Sequence, residues 1–140
     1  ENGQVDKMPR IFPVQSENCN PIYRLYTGSE EKGGFRSTIA EGIALARPNK
    51  ADQVVRAVRE TGGQVLCVNE EEIRQAVPAI AKLGMYAEPT SSAAFAGLRK
   101  LIRNGVLGKD DNVVMVISGN GLKAGPEIEE LIQERGETGK

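Results

Sequence analysis

The sequence predicts an α/β fold, a three-layer αβα arrangement around a mostly parallel sheet, and three observations carry that expectation. Short apolar runs alternate with segments of helical periodicity along the chain. The intervening segments are long enough for helical crossovers, which favour parallel pairing with right-handed connections. Val113-Val114-Met115-Val116-Ile117 is five consecutive apolar residues, the pattern of a central strand covered on both faces.

Each element follows in order. Ile11-Phe12-Pro13-Val14-Gln15 reads as a strand, with Pro13 arguing for a sheet edge or an early end. Asn18 to Pro21 reads as a turn or helix start, and Pro21 to Tyr26 can open a helix with proline in its first turn. Residues 28–35 are polar, charged and glycine-rich, which predicts a flexible surface loop. Ser37 to Leu45 is apolar enough to be buried, and Pro48 closes it. Ala51, Val54, Val55 and Val58 recur at helical spacing, with Arg56, Arg59 and Glu60 outward and Gly62-Gly63 as the stop. Gln64 to Val68 follows as a buried strand. Asn69 with Glu72 three residues on predicts a capping box for a helix running to about Leu83, with Glu70, Glu71 and Glu72 suiting its dipole and Gly84 ending it. Met85-Tyr86-Ala87 is a short extended piece. Thr90, Ser91 or Ser92 is placed to cap a helix whose apolar face is Ala94, Phe95, Leu98, Leu101 and Ile102, and Gly105 stops it. After the apolar run come the turn Ser118-Gly119-Asn120-Gly121 and a last helix from Pro126 to Arg135. Its acidic residues Glu127, Glu129, Glu130 and Glu134, with Glu137 beyond, read as a solvated face.

Composition excludes several classes of function. The chain has 140 residues, so it forms one domain, residues 1–140 with a tail at 136–140, and can bury a core without staples. Eighteen basic against nineteen acidic residues leave a net charge of −1, so neither nucleic acid nor an anionic membrane is an expected partner. With no histidine, the chain lacks the commonest zinc ligand and the usual base of serine and cysteine hydrolases. Cys19 and Cys67 are too few for a disulfide framework, and no metal site is expected. No apolar run reaches the roughly 20 residues of a membrane helix, and the expected location is the cytoplasm. The chain opens with Glu1 rather than methionine, which suggests processing or excision from something longer.

Ligands of open α/β sheets lie beyond the carboxyl ends of strands. An apolar strand running into Ser118-Gly119-Asn120-Gly121 offers a hydroxyl, an amide and two glycines where a ligand can approach the backbone, against the plainer reading of a tight turn. Glu88-Pro89-Thr90-Ser91-Ser92 brings a carboxylate and hydroxyls to a helix start, against simple capping, which leaves Glu88 unexplained. Glu41, which interrupts the apolar stretch Thr38 to Ile43, is a third candidate against the plainer reading of a solvated loop carboxylate, and Cys67 reads as a core residue.

Four stretches, in this order, resemble the C-terminal part of the threonine synthases, pyridoxal-phosphate enzymes of the tryptophan-synthase-β (fold type II) superfamily. They are Lys7 to Gln15, Thr38 to Ala44, Glu88 to Ala94 with Ala96-Gly97-Leu98, and Ser118 to Lys123. Gly121-Leu122-Lys123 favours threonine synthase over the dehydratases. The resemblance implies that the chain is part of the large domain of a fold type II enzyme. It implies that Ser118 bonds the pyridine nitrogen of pyridoxal phosphate, that Gly119 and Asn120 shape the same rim, and that Glu88 lies near the cofactor or the substrate amine. The implied reaction converts O-phospho-homoserine and water to threonine and phosphate. The family's Schiff-base lysine and glycine-rich phosphate loop belong to stretches that these residues do not match, so no catalytic residue is assigned and the chain alone is expected to be inactive. Lys7, Lys32, Lys50, Lys82, Lys100, Lys109 and Lys140 read as solvated. Expected partners are a small amino-acid substrate, the missing N-terminal half and further copies of the chain. Serine or threonine dehydratase, cysteate synthase and a non-catalytic self-associating module are the alternatives.

Overall fold

Two short parallel strands carry the computed structural model, which describes residues 7–29, 34–125, 128, 129 and 131. Strand β1 (Val14–Ser16) pairs with β2 (Leu66–Val68) in the register Val14 to Leu66, Gln15 to Cys67 and Ser16 to Val68. Between them lie helix α1 (Pro21–Thr27), a 3-10 turn at Glu41–Ile43 and helix α2 (Ala51–Glu60). Helices α3 (Glu70–Ala81) and α4 (Pro89–Arg103) follow, and a second 3-10 turn spans Gly121–Ala124. The fold is α/β as expected: α4 lies across both strands and packs on α3, while α1 packs on α2.

Several elements form for the reasons the sequence supplies. In α2, Val55 and Val58 are buried while Arg56, Arg59 and Glu60 face solvent. The capping box of α3 is complete: Asn69 Oδ1 accepts from Glu72 N at 2.8 Å, and Glu72 Oε2 accepts from Asn69 N at 3.0 Å. Gly84 and Gly105 take φ of 82° and 70°, the left-handed turn that lets the chain leave α3 and α4. The core joins Val68 and Ile73 to Ala76, Ala93 and Ala96, with a second cluster of Leu66, Leu101 and Leu107.

Other expectations are corrected. The first strand begins only after Pro13, because Leu66 N bonds the Pro13 carbonyl at 2.9 Å and proline has no N–H to continue that ladder. The second begins at Leu66, two residues later than expected. Of Ser37 to Leu45, Thr38 and Ala40 are buried, whereas Glu41, Gly42 and Ala44 face solvent and Leu45 is 60% exposed. The cap of α4 is Glu88 rather than a hydroxyl residue, because Pro89 at the first helical position fixes the entry and Ser91 is engaged elsewhere. Ile102 is 56% exposed, since the buried face of α4 runs through Ser92, Ala93, Ala96, Gly97 and Leu101. Lys100 is not solvated: its ammonium donates to the Cys67 carbonyl at 2.7 Å and pairs with Glu72.

The largest correction concerns Val113 to Ile117, which is not a covered central strand. No strand is assigned there, and Val114 and Val116 are 92% and 73% exposed. The expected last helix lies mostly outside the described residues, although Ile128 and Leu131 are buried against Val77 and Glu129 is exposed. The expected loop at 28–35 is described only at Gly28, Ser29, Gly34 and Phe35, and the tail at 136–140 not at all.

Gly97 sets the distance between helix and sheet. A Cβ built there would collide with Val14 Cγ2, so α4 approaches β1 as only glycine permits. Gly97→Ala gains up to about 1 kcal/mol of helix propensity against about 1–3 kcal/mol of overpacking. The expected result is a lower urea midpoint, and a raised midpoint would show that Val14 moves aside at no cost.

Burial opposes ionisation of Glu72, but the Asn69 N–H, the Arg103 guanidinium and Lys100 outweigh it and hold the carboxyl below its ordinary 4.5. Stability from this depressed group is complete above 4.5 and is lost as pH falls through the folded value. Glu72→Gln is therefore less stable than the parent at pH 7, and the difference shrinks below pH 4.5 in urea titrations.

Candidate functional site

Four residues expected at the site, Glu88, Ser118, Gly119 and Asn120, meet where the chain entering α4 runs beside the segment that follows Val113 to Ile117. Ala87 and Asn120 form an antiparallel bridge. Glu88 N donates to the Gly119 carbonyl at 3.2 Å and Gly121 N to the Tyr86 carbonyl at 2.9 Å. In place of the expected tight turn, that single bridge is followed by the 3-10 turn, which Asn120 caps by accepting from Leu122 N at 2.9 Å. That bond gives the Asn120 side chain a structural task, although the residue remains exposed.

Ser91 fastens the cluster, whereas the sequence offered it as one of the hydroxyls of the Glu88 to Ser92 candidate or as a helix cap, without its bond to Gly119. Its residue is 1% exposed, and its Oγ accepts from Gly119 N at 2.9 Å. The same Oγ lies 3.3 Å from both the Gly119 carbonyl and Ser118 Oγ. A hydroxyl has one proton to give. When Ser91 gives it to the Gly119 carbonyl, its Oγ can accept from Ser118; when Ser91 gives it to Ser118, the Ser118 proton is free to point outward. The signal that could have exposed this role is spacing: Ser91 lies one helical step inside α4 from Glu88, on the face that meets Gly119.

Gly119 is a second constraint. A Cβ there would overlap the Glu88 carboxylate, so the glycine lets that carboxylate rest against the backbone. Thr90 ties the cluster to the first 3-10 turn, because its Oγ1 accepts from Gly42 N at 3.0 Å. Glu70 extends the network by accepting from Ile39 N at 2.9 Å and from Ser16 Oγ at 3.0 Å.

Ser118 itself is exposed and lines a cavity of about 620 Å³ together with Ile43 and Thr90 and the apolar side chains of Val14, Ala94 and Leu98. The residues present fit the ring of an aromatic cofactor in one specific respect: a neutral hydroxyl, supported from behind by a buried second hydroxyl, borders a mainly apolar space. Among the described residues no lysine lines that cavity. Burial pushes the Cys67 thiol up to about 11, with a smaller opposing effect from its hydrogen bond to Asn20, so it stays protonated at neutral pH and is no nucleophile. Among the described residues there is no cluster of acidic and sulfur groups suited to a metal ion, and no helix is long and apolar enough to cross a membrane.

Comparisons with known proteins bear on the family and the fold of the chain. Residues 1–119 match the family model described as pyridoxal-phosphate dependent enzyme. The threonine synthase of Methanosarcina acetivorans is 34% identical over 139 residues, covering 94% of this chain and 34% of that protein. The threonine synthase of Methanocaldococcus jannaschii is 30% identical over 125 residues, covering 86% of this chain and 31% of that protein. The crystal structure of threonine synthase from Escherichia coli superposes with a TM-score of 0.73 at 17% identity, over 90% of this chain and 29% of that one. The last likeness is one of fold. The chain spans about a third of the length of the curated relatives it matches.

Removing the fastening hydroxyl isolates its contribution. Ser91→Ala leaves a buried Gly119 N–H without its acceptor, at a cost of about 1–3 kcal/mol. The Gly119 amide of the variant is expected to exchange with solvent at least tenfold faster than in the parent; unchanged exchange would show that the ladder to residues 86–88 holds the segment unaided.

Proposed function

The chain belongs to the pyridoxal-phosphate dependent enzyme family, and on that premise we propose that it supplies one wall of the cofactor site of a threonine-synthase-type enzyme. The observation that carries the proposal is the exposed Ser118 hydroxyl, backed by buried Ser91, at the edge of an apolar cavity. Identities of 30–34% to two threonine synthases over most of the chain support the choice within the family. Bound pyridoxal phosphate would supply an electron sink that makes elimination and replacement of a phosphate leaving group accessible.

The chain's own contribution is to hold and orient. Ser118, receiving the Ser91 proton, presents its own proton outward to an uncharged ring nitrogen. A serine is far too weak an acid to leave that nitrogen protonated, as an aspartate would, and this restrains the sink and disfavours transamination. Gly119 keeps the rim free of side chain and seats the Glu88 carboxylate beside it, where Glu88 can accept from a substrate ammonium. The reaction proposed for the whole enzyme is conversion of O-phospho-homoserine and water to threonine and phosphate, in the cytoplasm. The lysine that binds the cofactor and the donors for its phosphate are supplied from outside these residues, so the chain by itself is inactive.

Mixing the purified chain with pyridoxal phosphate and borohydride tests this division of labour. The expected outcome is no site-specific reduced adduct at a lysine and no phosphate release from O-phospho-homoserine. A stoichiometric adduct at one lysine, with turnover, would overturn it.

A further inference from the structure

A second cavity, of about 550 Å³, falls within the roughly 300–1,000 Å³ of small-molecule sites. It shares no lining residue with the cavity at Ser118. Part of its wall is the stretch Gln64 to Cys67, which runs into β2. Leu66 N bonds the Pro13 carbonyl and the Val68 carbonyl accepts from Glu17 N, so the backbone of these two residues faces β1 and that of Cys67 faces the opposite edge. Among the described residues no strand covers that edge. The Cys67 carbonyl is already taken by Lys100 Nζ at 2.7 Å, so a further strand cannot pair there without displacing the ammonium, and a small molecule is the occupant that fits.

Three charged residues line this cavity, Glu17, Arg36 and Lys100. The Cys67 thiol, which stays protonated, adds no charge. Lys100 is committed to the Cys67 carbonyl and to Glu72 at 3.4 Å. It lies 3.9 Å from Glu17, too long for a hydrogen bond, and no donor engages the Glu17 carboxylate among the described residues. The Arg36 guanidinium likewise has no partner among them. Tyr23, Gln64 and Asn104 bring a hydroxyl and two amides to the same cavity, and their side chains too make no hydrogen bond among the described residues. One exposed arginine without a partner is ordinary. A guanidinium, a carboxylate and three neutral polar groups around one cavity are a set of donors and acceptors that the described chain leaves unused.

We propose that this cavity binds the zwitterion of an amino acid with a polar side chain: Arg36 holds the carboxylate through its planar fork, Glu17 accepts from the ammonium, and Tyr23, Gln64 and Asn104 meet the side chain directly or through water. Both charges are needed for this choice. A phosphate gains Arg36 but is repelled by Glu17, and a simple cation gains Glu17 but is repelled by Arg36. An apolar amino acid would leave the three neutral groups unpaired. The proposal goes beyond the cofactor reading and does not rest on it, because the two cavities have no lining residue in common.

Titration of the 140-residue chain with L-serine, L-threonine, L-asparagine and L-glutamine, followed through backbone amide chemical shifts, tests it. The expected result is saturable binding of at least one of them, with shifts at Val65 to Cys67 and none at Ser118 or Gly119. Acetylating the amine of that ligand, or converting its carboxylate to the amide, is expected to weaken binding about tenfold or more, since each change removes a charge-assisted bond. Arg36→Gln and Glu17→Gln are each expected to weaken it by a similar factor and to leave the urea midpoint unchanged, because neither side chain holds a close partner among the described residues. Inorganic phosphate is the control for a simple anion patch. Binding of none of the four amino acids would overturn the proposal. So would phosphate binding as tightly as the amino acid, shifts at Ser118 and Gly119 in place of Val65 to Cys67, or indifference to both blocked ligands and both variants.

Discussion

The arrangement at the candidate site depends on one buried hydroxyl. Ser91 Oγ is the acceptor for Gly119 N, and the backbone that follows Val113 to Ile117 is thereby pinned to the first turn of α4. The ladder through Glu88 N and Gly121 N adds two more bonds, but those lie at the outer edge of the contact. Among the described residues, Ser91 is the hydrogen-bond partner of the Ser118 side chain. Its proton has two candidate acceptors at equal distance, the Gly119 carbonyl and Ser118 Oγ, so Ser91 can support Ser118 as a donor directed outward.

Much of this was legible in the sequence. The helices with strong periodicity, α2 and α3, formed where the valines and the Asn69/Glu72 box placed them, because both signals are local and need no tertiary partner. Glu88, Ser118, Gly119 and Asn120 were brought together as expected. What failed were inferences about surroundings. Five apolar residues in a row state what Val113 to Ile117 would bury, but burial requires a neighbour, and the described residues do not provide one. Ser91 and Thr90 were read either as part of the Glu88 to Ser92 candidate or as helix caps, because neither of their distant partners is visible in the local sequence. Pro89 fixed the helix entry instead, which freed both hydroxyls to bond Gly119 and Gly42. Lys100 was read as solvated from its polar neighbours in sequence; its partners, the Cys67 carbonyl and Glu72, are distant along the chain.

Charge and packing divide the work between the two ends of α4. At its N-terminus the helix presents neutral hydroxyls and the glycine-seated Glu88 to the candidate site. Farther along, Lys100 and Arg103 both reach Glu72 at the start of α3, at 3.4 Å and 2.9 Å. The capping carboxylate of one helix is thus neutralised by the last turn of the next, which also suits both helix dipoles. Between the two ends, Gly97 lets the helix sit directly on Val14. These contacts fix the orientation of α4, and with it the position of Ser91.

The position of Ser118 is held mainly from one side, because it follows Ile117 directly and the run before it has no backbone partners among the described residues. Ser91 anchors one end of this segment, at Gly119. The Arg10 pair with Asp111, at 3.2 Å and with both side chains about two-fifths exposed, is a weak anchor at the other. A hydroxyl that must meet a ring nitrogen within hydrogen-bond range tolerates little movement. Ser118 is therefore placed chiefly by the bonds at Gly119, so the Ser91 hydroxyl matters for the neighbouring residue as well as for the amide that it accepts from.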